Sequence, residues 1–534
     1  DMPDVEAALV HALEAKGLGV FPAFTNTLRD KSTGNKGATI WSREVFLGES
    51  GSRIGALVKF LPYFTNNGGN MPAFVGDDSP ARESVRVFRE LGVPIFQPVF
   101  ASSKTLEEWE ADPQGLNSEV SWAVAMPEFE GAIEPLFLGG GTLSQAGVGG
   151  TEIERRTPHP ERVERFASRI ARWLRLRNKP VAERRVAFLL NSDPCASVEA
   201  SVGGAAKLDS LESVSRILRA MRQAGYAVDV PESGAALIET IMERKAISEF
   251  RWTTVQEIEA KGGVLAHVDL ATYRRWFDAY PENVRQKVAE AWGNPPGEPM
   301  NGVPAAMVLN GDILVTGVRW GNAVVCIQPK RGCAGSRCDG QVCKILHDPS
   351  VPPPHQYIAT YRWLQDGFGA DVVVHVGTHG NLEFLPGKSV GLSGACFPDL
   401  ALHEVPHVYI YNSDNPPEGV IAKRRSYAEL VDHMQTVMVQ SGLYDALEEL
   451  DRLLGEWEQA RAGNPNRAHQ LEHLIREGIA AANLESQVSP ETSPDFATLA
   501  SRIHAALGLL RNTHMEDGMH VFGETPQGNR RAQF

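Results

Sequence analysis

The sequence predicts an α/β protein with parallel, doubly wound (Rossmann-like) layers in several modules and a mostly helical C-terminal part. Three observations support this prediction. Helical patterns alternate with short apolar runs that are typical of buried strands. One such run, over 186–190, precedes a helix that Asp209 and Glu212 begin as a capping box. From about residue 436 onward only helical patterns recur.

Changes of pattern divide the chain into four predicted modules. Its 534 residues allow about three or four domains. We expect an α/β module over 1–145 and a second α/β module with a βαβ unit over 146–310. An α/β region that carries the candidate active site covers 311–436, and a helical region covers 437–534.

Helices and strands alternate through the first module. Apolar residues at helical spacing predict a helix that ends near Gly17. Apolar runs predict strands over 18–24 and 121–131. Between them a second helix ends at Gly92, and another apolar strand follows it.

The second module begins with a long helix, predicted over roughly 159–177. The strand at 186–190, the helix after Asp209 and the alternating run YAVDV at 226–230 predict a βαβ unit. The loop in this unit lacks the GxGxxG glycines of dinucleotide-binding proteins, so a generic doubly wound unit is the better interpretation.

The third module contains the most apolar strands. Two strands flank a turn at Trp320–Asn322, and a helix is predicted over 354–368. Buried strands are predicted over 372–376 and 405–411. The run VIAKRRSYAELVDHM at 420–434 predicts a helix with basic residues at its head.

Charge and cysteine content limit the classes of function. The formal net charge of −14 argues against nucleic-acid binding, which needs a concentrated basic face. No apolar run approaches the ~20 residues that span a bilayer, and the first residues lack a signal-peptide pattern. Because the chain lacks an initiator methionine, we expect a fragment or a processed chain. Only six cysteines occur, so we expect a cytoplasmic protein rather than a disulfide framework.

The run VVVHVGTHGNLEFLPGK at 372–388 joins a buried strand to a glycine-rich loop with reactive side chains. In an open parallel sheet, ligands bind outside the carboxyl ends of the strands. His375 and His379 are four residues apart, which on a strand means about 13 Å, too far to hold one ion. We therefore expect His375 in the sheet, as a core histidine with a satisfied hydrogen bond. His379 lies on the exposed loop and shares a face with Glu383 if LEFLP forms a helical turn.

The run GKS at 387–389 has the end of a phosphate-binding loop but not its beginning. A Walker loop requires glycine five positions before its GK glycine, and residue 382 is leucine. Pro386 also removes a backbone N–H donor. The sequence therefore indicates no nucleotide-hydrolysing machinery in this chain.

Other charged residues are candidates to face the same loop. His355 begins a predicted helix, and Glu418 precedes Lys423, Arg424 and Arg425. Basic residues at the head of a helix oppose its dipole, so they favour an anionic ligand or an acidic partner. The alternative is an ordinary solvated face.

Cys333, Cys338 and Cys343 are spaced by four intervening residues each. Three thiolates, with a fourth ligand such as His347, suit zinc, an iron–sulfur cluster or a soft metal in transit. The alternative is an ordinary reduced loop.

Several segments together resemble the large subunit of the ATP-dependent metal chelatases, which are the cobaltochelatase large subunit and the magnesium chelatase H subunit. The segments are HVGTHGNLEFLPGK, VCIQPKRG upstream and YNSDNPPEGVIAKRRSYAELVDHM downstream. MPEFEG, AAKLDSLESVSRIL, AWGNPPGE and DGMHVFGETPQG extend the likeness over most of the chain. Whole chains of the family extend beyond both ends of this one, so the resemblance implies a central portion.

The resemblance implies a subunit that holds a tetrapyrrole while a divalent metal, cobalt in preference to magnesium, enters the ring. Partner subunits, an AAA+ ATPase and a middle subunit, would hydrolyse ATP. His379 and Glu383 carry over as the metal-handling or proton-accepting pair, with His375 and His355 as second choices. Inserting the ion releases two pyrrole protons, which need a nearby base.

The ring itself also requires partners. Its carboxylates suit lysine and arginine, so Lys388 and Lys423, Arg424 and Arg425, together with Glu418 and His355, are candidate substrate-binding residues. Phe384, Tyr357, Trp320 and Tyr411 are candidates to pack on the ring or to belong to the core. The three-cysteine loop departs from the ordinary cobalt and magnesium enzymes, which leaves the metal open.

Two other hypotheses stay open. One is a protein of the same fold that carries a tetrapyrrole, or strips metal from it, without ATP. The other is an iron–sulfur or zinc protein in which the cysteine loop dominates.

Overall fold

A computed structural model describes most of the chain. The described residues are 4–24, 32, 34–65, 80–145, 152–192, 201–205, 208–248, 253–299, 305–331, 350–377, 380–412, 416–433, 444–493, 495–511 and 520–533.

The chain forms two compact units, each assembled from separated stretches of sequence. Unit 1 contains Asp1–Lys179, Gly387–Pro406 and Val420–Glu429. Unit 2 contains Pro180–Pro386, His407–Gly419 and Leu430–Phe534. The four consecutive modules stay a prediction, because one compact unit can hold more than one module.

The α-helices are numbered in chain order. They are α1 Asp4–Ala15, α2 Ala38–Phe46, α3 Pro80–Leu91, α4 Leu106–Ala111, α5 Met126–Phe129, α6 Pro160–Asn178, α7 Ser210–Gln223, α8 Gly234–Glu243, α9 Val255–Ala260, α10 Leu270–Asp278, α11 Glu282–Trp292, α12 His355–Arg362, α13 Phe397–Leu402, α14 Pro416–Arg425, α15 Tyr444–Ala460, α16 Pro465–Ala481, α17 Glu485–Val488, α18 Phe496–Arg511 and α19 Gly528–Gln533.

The strands are numbered in the same way. They are β1 Leu47–Gly48, β2 Gly51–Ser52, β3 Leu57–Val58, β4 Ile95–Phe96, β5 Val99–Ala101, β6 Phe137–Gln145, β7 Glu152–Pro158, β8 Val186–Leu190, β9 Val264–Val268, β10 Val308–Leu309, β11 Asp312–Thr316, β12 Val318–Trp320, β13 Ala323–Ile327, β14 Val372–Gly377, β15 His407–Asn412 and β16 Glu429–His433.

Unit 1 contains small sheets. Strand β5 pairs parallel to β6, which pairs antiparallel to β7, and β3 pairs parallel to β4. Trp109 stacks on Phe137 with ring centroids 3.7 Å apart in one of its apolar clusters. At the buried end of α6, the Arg162 guanidinium forms two hydrogen bonds of 3.0 and 3.1 Å with the Asp399 carboxylate.

Unit 2 is organised around a six-stranded sheet in the order β12–β13–β8–β14–β15–β16. Strands β13, β8, β14 and β15 run parallel, and every residue of β8, β13 and β14 is buried. Parallel sheets covered on both faces are built from such continuous apolar runs. The parallel α/β class predicted from the sequence is therefore confirmed.

The rest of unit 2 has two further parts. Strands β10, β11 and β9 form a separate antiparallel sheet. Helices α15, α16 and α18 pack their apolar faces into one cluster, so the helical C-terminal region is also confirmed. In the part of the chain that the structure describes, no helix is long and apolar enough to cross a membrane.

Three predicted strands are wrong. Residues 18–24 form no strand, and the stretch predicted over 121–131 is helical, with a π-helical segment at Val120–Ala125 that continues into α5. The run 226–230 joins no ladder; it makes single backbone bonds to the β12–β13 hairpin. Strand β8 instead pairs with β13 and β14, which lie far along the chain.

The basic segment after residue 416 also differs from its prediction. Helix α14 begins at Pro416 and ends at Arg425, and β16 follows at Glu429–His433. Proline suits the first turn of a helix, where its missing N–H has no intrahelical partner. The basic residues therefore occupy the last turn, where they complement the dipole. The prediction of a basic helix head is wrong, so the helix dipole gives no argument for an anionic ligand at these residues.

Candidate functional site

Polar side chains form a chain along the six-stranded sheet of unit 2 toward the carboxyl ends of its parallel strands. His407 begins β15, His375 lies in the middle of β14 and Gln328 follows β13, while Tyr361 comes from α12. Together with Asn381 and Glu383 of the following loop, they form what we call the strand-edge network. Gln328, Asn381 and Glu383 lie beyond the carboxyl ends of β13 and β14, which is where doubly wound proteins bind ligands.

The two histidines lie on the same face of the sheet. His407 is the register partner of Val373, two residues before His375. The His375 Nδ1 atom is 2.5 Å from His407 Nε2, and its Nε2 atom is 2.9 Å from the Tyr361 hydroxyl oxygen. His375 is therefore a sheet histidine with hydrogen-bonded ring nitrogens, an arrangement that does not support the metal-ligand role predicted for it.

The electrostatics of His375 agree with this arrangement. Burial, and then the neighbouring His407, keep the pKa of His375 well below its usual value, so the ring is neutral at pH 7. Tyr361 donates to Nε2, which leaves the proton on Nδ1 for the bond to His407. His375 thus links the Tyr361 hydroxyl to His407 in one hydrogen-bond chain.

Gln328 connects this chain to the loop. Its Nε2 atom donates to the hydroxyls of Tyr361, at 2.8 Å, and Tyr357, at 3.3 Å. Its Oε1 atom accepts the Asn381 backbone N–H at 2.8 Å. A Cβ atom at Gly380 would lie 2.8 Å from the same oxygen, so glycine permits this close approach. Both tyrosines are buried core residues, which decides between the two roles considered for Tyr357.

Glu383 lies on a single 3₁₀ turn, Leu382–Phe384. Its side chain is buried, with the residue 1% exposed, and Oε1 accepts the Gly380 backbone N–H at 2.9 Å. Burial above all, and the charge of Glu383 to a smaller extent, raise the pKa of Tyr357. The carboxylate thus fixes the loop that carries it and lies near Tyr357. His379, its predicted partner, lies outside the described residues.

His355 occupies a different place in unit 2. It begins α12, and its Nε2 atom is 2.9 Å from the Gly293 carbonyl oxygen, which can only accept. Its Nδ1 atom therefore accepts from the Tyr273 hydroxyl at 2.7 Å. Burial lowers the pKa of His355, so the ring is neutral. This geometry gives His355 a structural role and does not support the predicted contact with substrate.

Glu418 lies in the first turn of α14, in unit 2. The positive end of the helix dipole favours a carboxylate there.

The remaining predicted binding residues lie in unit 1. Lys388 Nζ donates to the backbone carbonyls of Trp109, Glu110 and Asp112, at 2.7, 2.9 and 2.6 Å, and so closes the carboxyl end of α4. These bonds occupy the three ammonium protons, so GKS is no phosphate loop here. Arg425 Nε donates to the Lys388 carbonyl at 3.1 Å.

The other two basic residues of α14 also have neighbours in unit 1. Arg424 and Glu128 form two hydrogen bonds of 3.1 and 2.9 Å. Lys423 lies close enough to Glu429 to lower its pKa, although burial has the larger and opposite effect. Each of these contacts stabilises unit 1, and the substrate roles of Lys388, Lys423, Arg424 and Arg425 stay predictions.

The three-cysteine loop lies outside the described residues, so the prediction of a cluster, zinc or soft metal at Cys333, Cys338 and Cys343 is unchanged. Within the described ranges, no group of three or more histidine, cysteine or acidic side chains is arranged to hold a metal ion. The described free cysteines, Cys326 and Cys396, are buried.

Sequence reasoning missed Gln328 and Tyr361 as parts of the site. The available signal was a glutamine directly after five buried apolar residues, because a buried amide needs hydrogen-bond partners. The helical position of Tyr361 gave no such signal.

The fold and the strand-edge network define a doubly wound α/β protein with a polar site at the carboxyl ends of its strands. Comparison with known proteins is more specific. A family model described as CobN/Magnesium Chelatase matches residues 2–534. The chain belongs to this family, which confirms the resemblance seen in the sequence.

Individual relatives agree with the family. An uncharacterized protein of Methanocaldococcus jannaschii is 43% identical over 550 residues, covering 100% of this chain and 43% of that protein. The aerobic cobaltochelatase subunit CobN of Pseudomonas aeruginosa is 34% identical, covering 85% of this chain and 35% of that protein. The H subunit of the magnesium chelatase of Cereibacter sphaeroides is 31% identical, covering 97% of this chain and 40% of that protein.

A solved structure is similar as well. The catalytic subunit of cobaltochelatase from Mycobacterium tuberculosis has a TM-score of 0.68 and 29% identity, covering 99% of this chain and 42% of that one. The chain thus spans about two fifths of the proteins that it matches. Cobalt and magnesium chelatase subunits are both represented among these relatives.

Proposed function

We propose that this chain is part of the large, tetrapyrrole-binding subunit of an ATP-dependent metallochelatase that inserts a divalent ion, cobalt in preference to magnesium, into a corrin- or porphyrin-type ring. The observation that supports it best is the strand-edge network, which fixes a buried carboxylate and its loop at the ligand-binding edge of a family-typical fold. A rigid base is what metal insertion requires, because two pyrrole protons must leave as the ion enters.

In this proposal Glu383 and His379 accept the pyrrole protons and handle the incoming ion. The Gly380 N–H that binds Glu383 sets the orientation of its carboxyl group. The neutral chain of Gln328, Tyr361 and His375 keeps the loop in register with the sheet. The arrangement supplies position and a proton acceptor, and the divalent ion is a substrate.

The preference for cobalt rests on ligand chemistry. The imidazole of His379 suits a borderline ion such as Co²⁺, whereas Mg²⁺ favours carboxylate oxygen and water. The alternative is a magnesium chelatase large subunit acting on protoporphyrin IX, which the similarity to the Cereibacter sphaeroides protein favours.

We assign ATP hydrolysis to partner AAA+ and middle subunits, in a cytoplasmic complex. The support from this chain is that Lys388 of the GKS run is bound to three carbonyl oxygens in unit 1. A protein that binds or strips a metallotetrapyrrole without ATP is the competing interpretation. Removal of metal from a supplied metallotetrapyrrole by the purified chain alone would favour it.

Two assays test the proposal. Optical titration of the purified chain with hydrogenobyrinic diamide, protoporphyrin and sirohydrochlorin-type rings measures ring binding and identifies the ring class. Insertion of Co²⁺ or Mg²⁺ is then followed with the AAA+ and middle subunits and ATP. We expect Glu383→Gln and His379→Gln to keep ring binding and lose insertion, while Glu477→Gln, at an exposed site on α16, behaves as wild type. Failure of every ring to bind would refute the proposal.

A further inference from the structure

Helix α16 exposes two histidines one helical turn apart. It buries Ala468, Leu471 and Ile475 in the cluster formed with α15 and α18. His469 and His473 are exposed, four residues apart on the opposite side. Residues at this spacing on a helix are neighbours, so the two rings share one surface.

The ring geometry suits a shared metal ion. The two ring centroids are 4.8 Å apart and their planes make an angle of 77°. Two metal–nitrogen bonds of about 2.1 Å, meeting near a right angle, place imidazole centres roughly 4.5–5 Å apart. The observed separation therefore needs little side-chain movement to accept an ion.

A carboxylate lies beside one of the rings. Glu472 Oε2 lies 3.6 Å from His469 Nδ1, and Glu472 Oε1 accepts the Trp457 indole N–H at 3.3 Å. A carboxylate on this side favours a proton on Nδ1 and leaves Nε2 to bind metal. Trp457 is buried, so the carboxylate is anchored to the helical cluster.

We propose that His469 and His473 form a surface binding site for a borderline divalent ion of the Co²⁺, Ni²⁺, Cu²⁺ and Zn²⁺ class, with water completing the coordination. Two imidazoles suit these ions, whereas Mg²⁺ requires oxygen ligands in an octahedral shell. The ligands project from a helix whose buried face is packed, so the backbone that carries both histidines is fixed before metal arrives. The proposal does not depend on tetrapyrrole binding or on partner subunits.

The test is titration calorimetry of the purified full chain with NiCl₂ after its accessible thiols have been alkylated. We expect His469→Gln and His473→Gln each to weaken Ni²⁺ binding by about tenfold or more, and the double variant to lack one bound ion. His11→Gln is the matched control, because His11 is an exposed histidine on α1. Excess Mg²⁺ should not compete.

Both histidines are exposed, so the variants should fold, which circular dichroism checks. Glu472→Gln, which keeps both imidazoles, should weaken binding less than loss of either ring. Equal Ni²⁺ affinity and stoichiometry in wild type and double variant would overturn the proposal. Because no tetrapyrrole is present, this failure is distinct from failure of the chelatase proposal, which ring titration reports.

Discussion

Replacement of Gln328 by leucine tests whether the sheet holds the loop that follows β14 and carries Glu383. The residue is completely buried, and its amide accepts from the Asn381 N–H and donates to Tyr361 and Tyr357. Leucine has a similar volume but no polar atoms. The change therefore removes these hydrogen bonds without opening a large cavity.

The expected magnitude follows from the groups left without partners. Loss of the acceptor for one buried N–H costs about 1–3 kcal/mol. This bond joins Gln328 to the loop, so about 1–3 kcal/mol shifts the loop toward open conformations. That free energy corresponds to a factor of roughly 5–150 in the population of the open loop.

Hydrogen exchange measured by mass spectrometry on peptides covering 380–386 reports this change. We expect the Asn381 amide to exchange roughly 5–150-fold faster in Gln328→Leu. Gln356→Leu is the matched control: Gln356 is also buried, on α12, and within the described structure its Nε2 atom has no hydrogen-bond partner. Unchanged protection of Asn381 in Gln328→Leu would refute the claim that Gln328 holds the loop.

Three further predictions concern unit 1. Asp399→Asn removes one of the two carboxylate partners of the buried Arg162 guanidinium and leaves the more exposed Glu161, so we expect a loss of about 1.5–3 kcal/mol at pH 7, seen as a lower thermal midpoint. Burial tends to raise the pKa of Asp399, but the Arg162 charge lowers it to about 2. The free energy that the ionised Asp399 adds to wild-type stability is therefore fully present above pH 3.8 and is lost as pH falls through 2. The Asp399→Asn variant should lack this pH dependence. Lys388→Met removes three bonds to the end of α4, and hydrogen exchange over 106–112 should accelerate; an unchanged rate would contradict the capping role. Burial raises the pKa of Glu429 to about 7, so wild-type stability should fall as pH rises from 4.5 through 7, and Glu429→Gln should remove that fall. Thermal midpoints at pH 5 and 8 compare the two proteins, and equal pH slopes would count against a buried, protonated Glu429.

The central strands could be predicted because their sequences leave little choice. Val186–Leu190 and Val372–Gly377 are apolar throughout, which is typical of parallel strands covered on both faces. Where apolarity was weaker, helix and strand were ambiguous: the run at 121–131 is apolar enough for a strand, yet it lies in a π-helical and α-helical segment. Tertiary packing, rather than local preference, decided that segment.

The loop could be located from the sequence, but its support could not. The position of Glu383 after β14 follows from the strand-then-glycine pattern. The pairing of His375 with His407 depends on β14 and β15 being neighbours in a defined register, which no local pattern encodes. The direction of the basic charges in α14 was mispredicted for a similar reason, since Pro416 begins the helix earlier than the apolar pattern indicated.

A single-turnover insertion assay of Glu383→Gln measures the role of the loop that carries Glu383 most directly. The ring is bound beforehand, the ATPase partners are present, and metal insertion is followed spectroscopically. If the Glu383 carboxylate accepts the inner ring protons, the variant should show the wild-type spectrum of the bound ring and no conversion to the metallated ring. Conversion at the wild-type rate would contradict it.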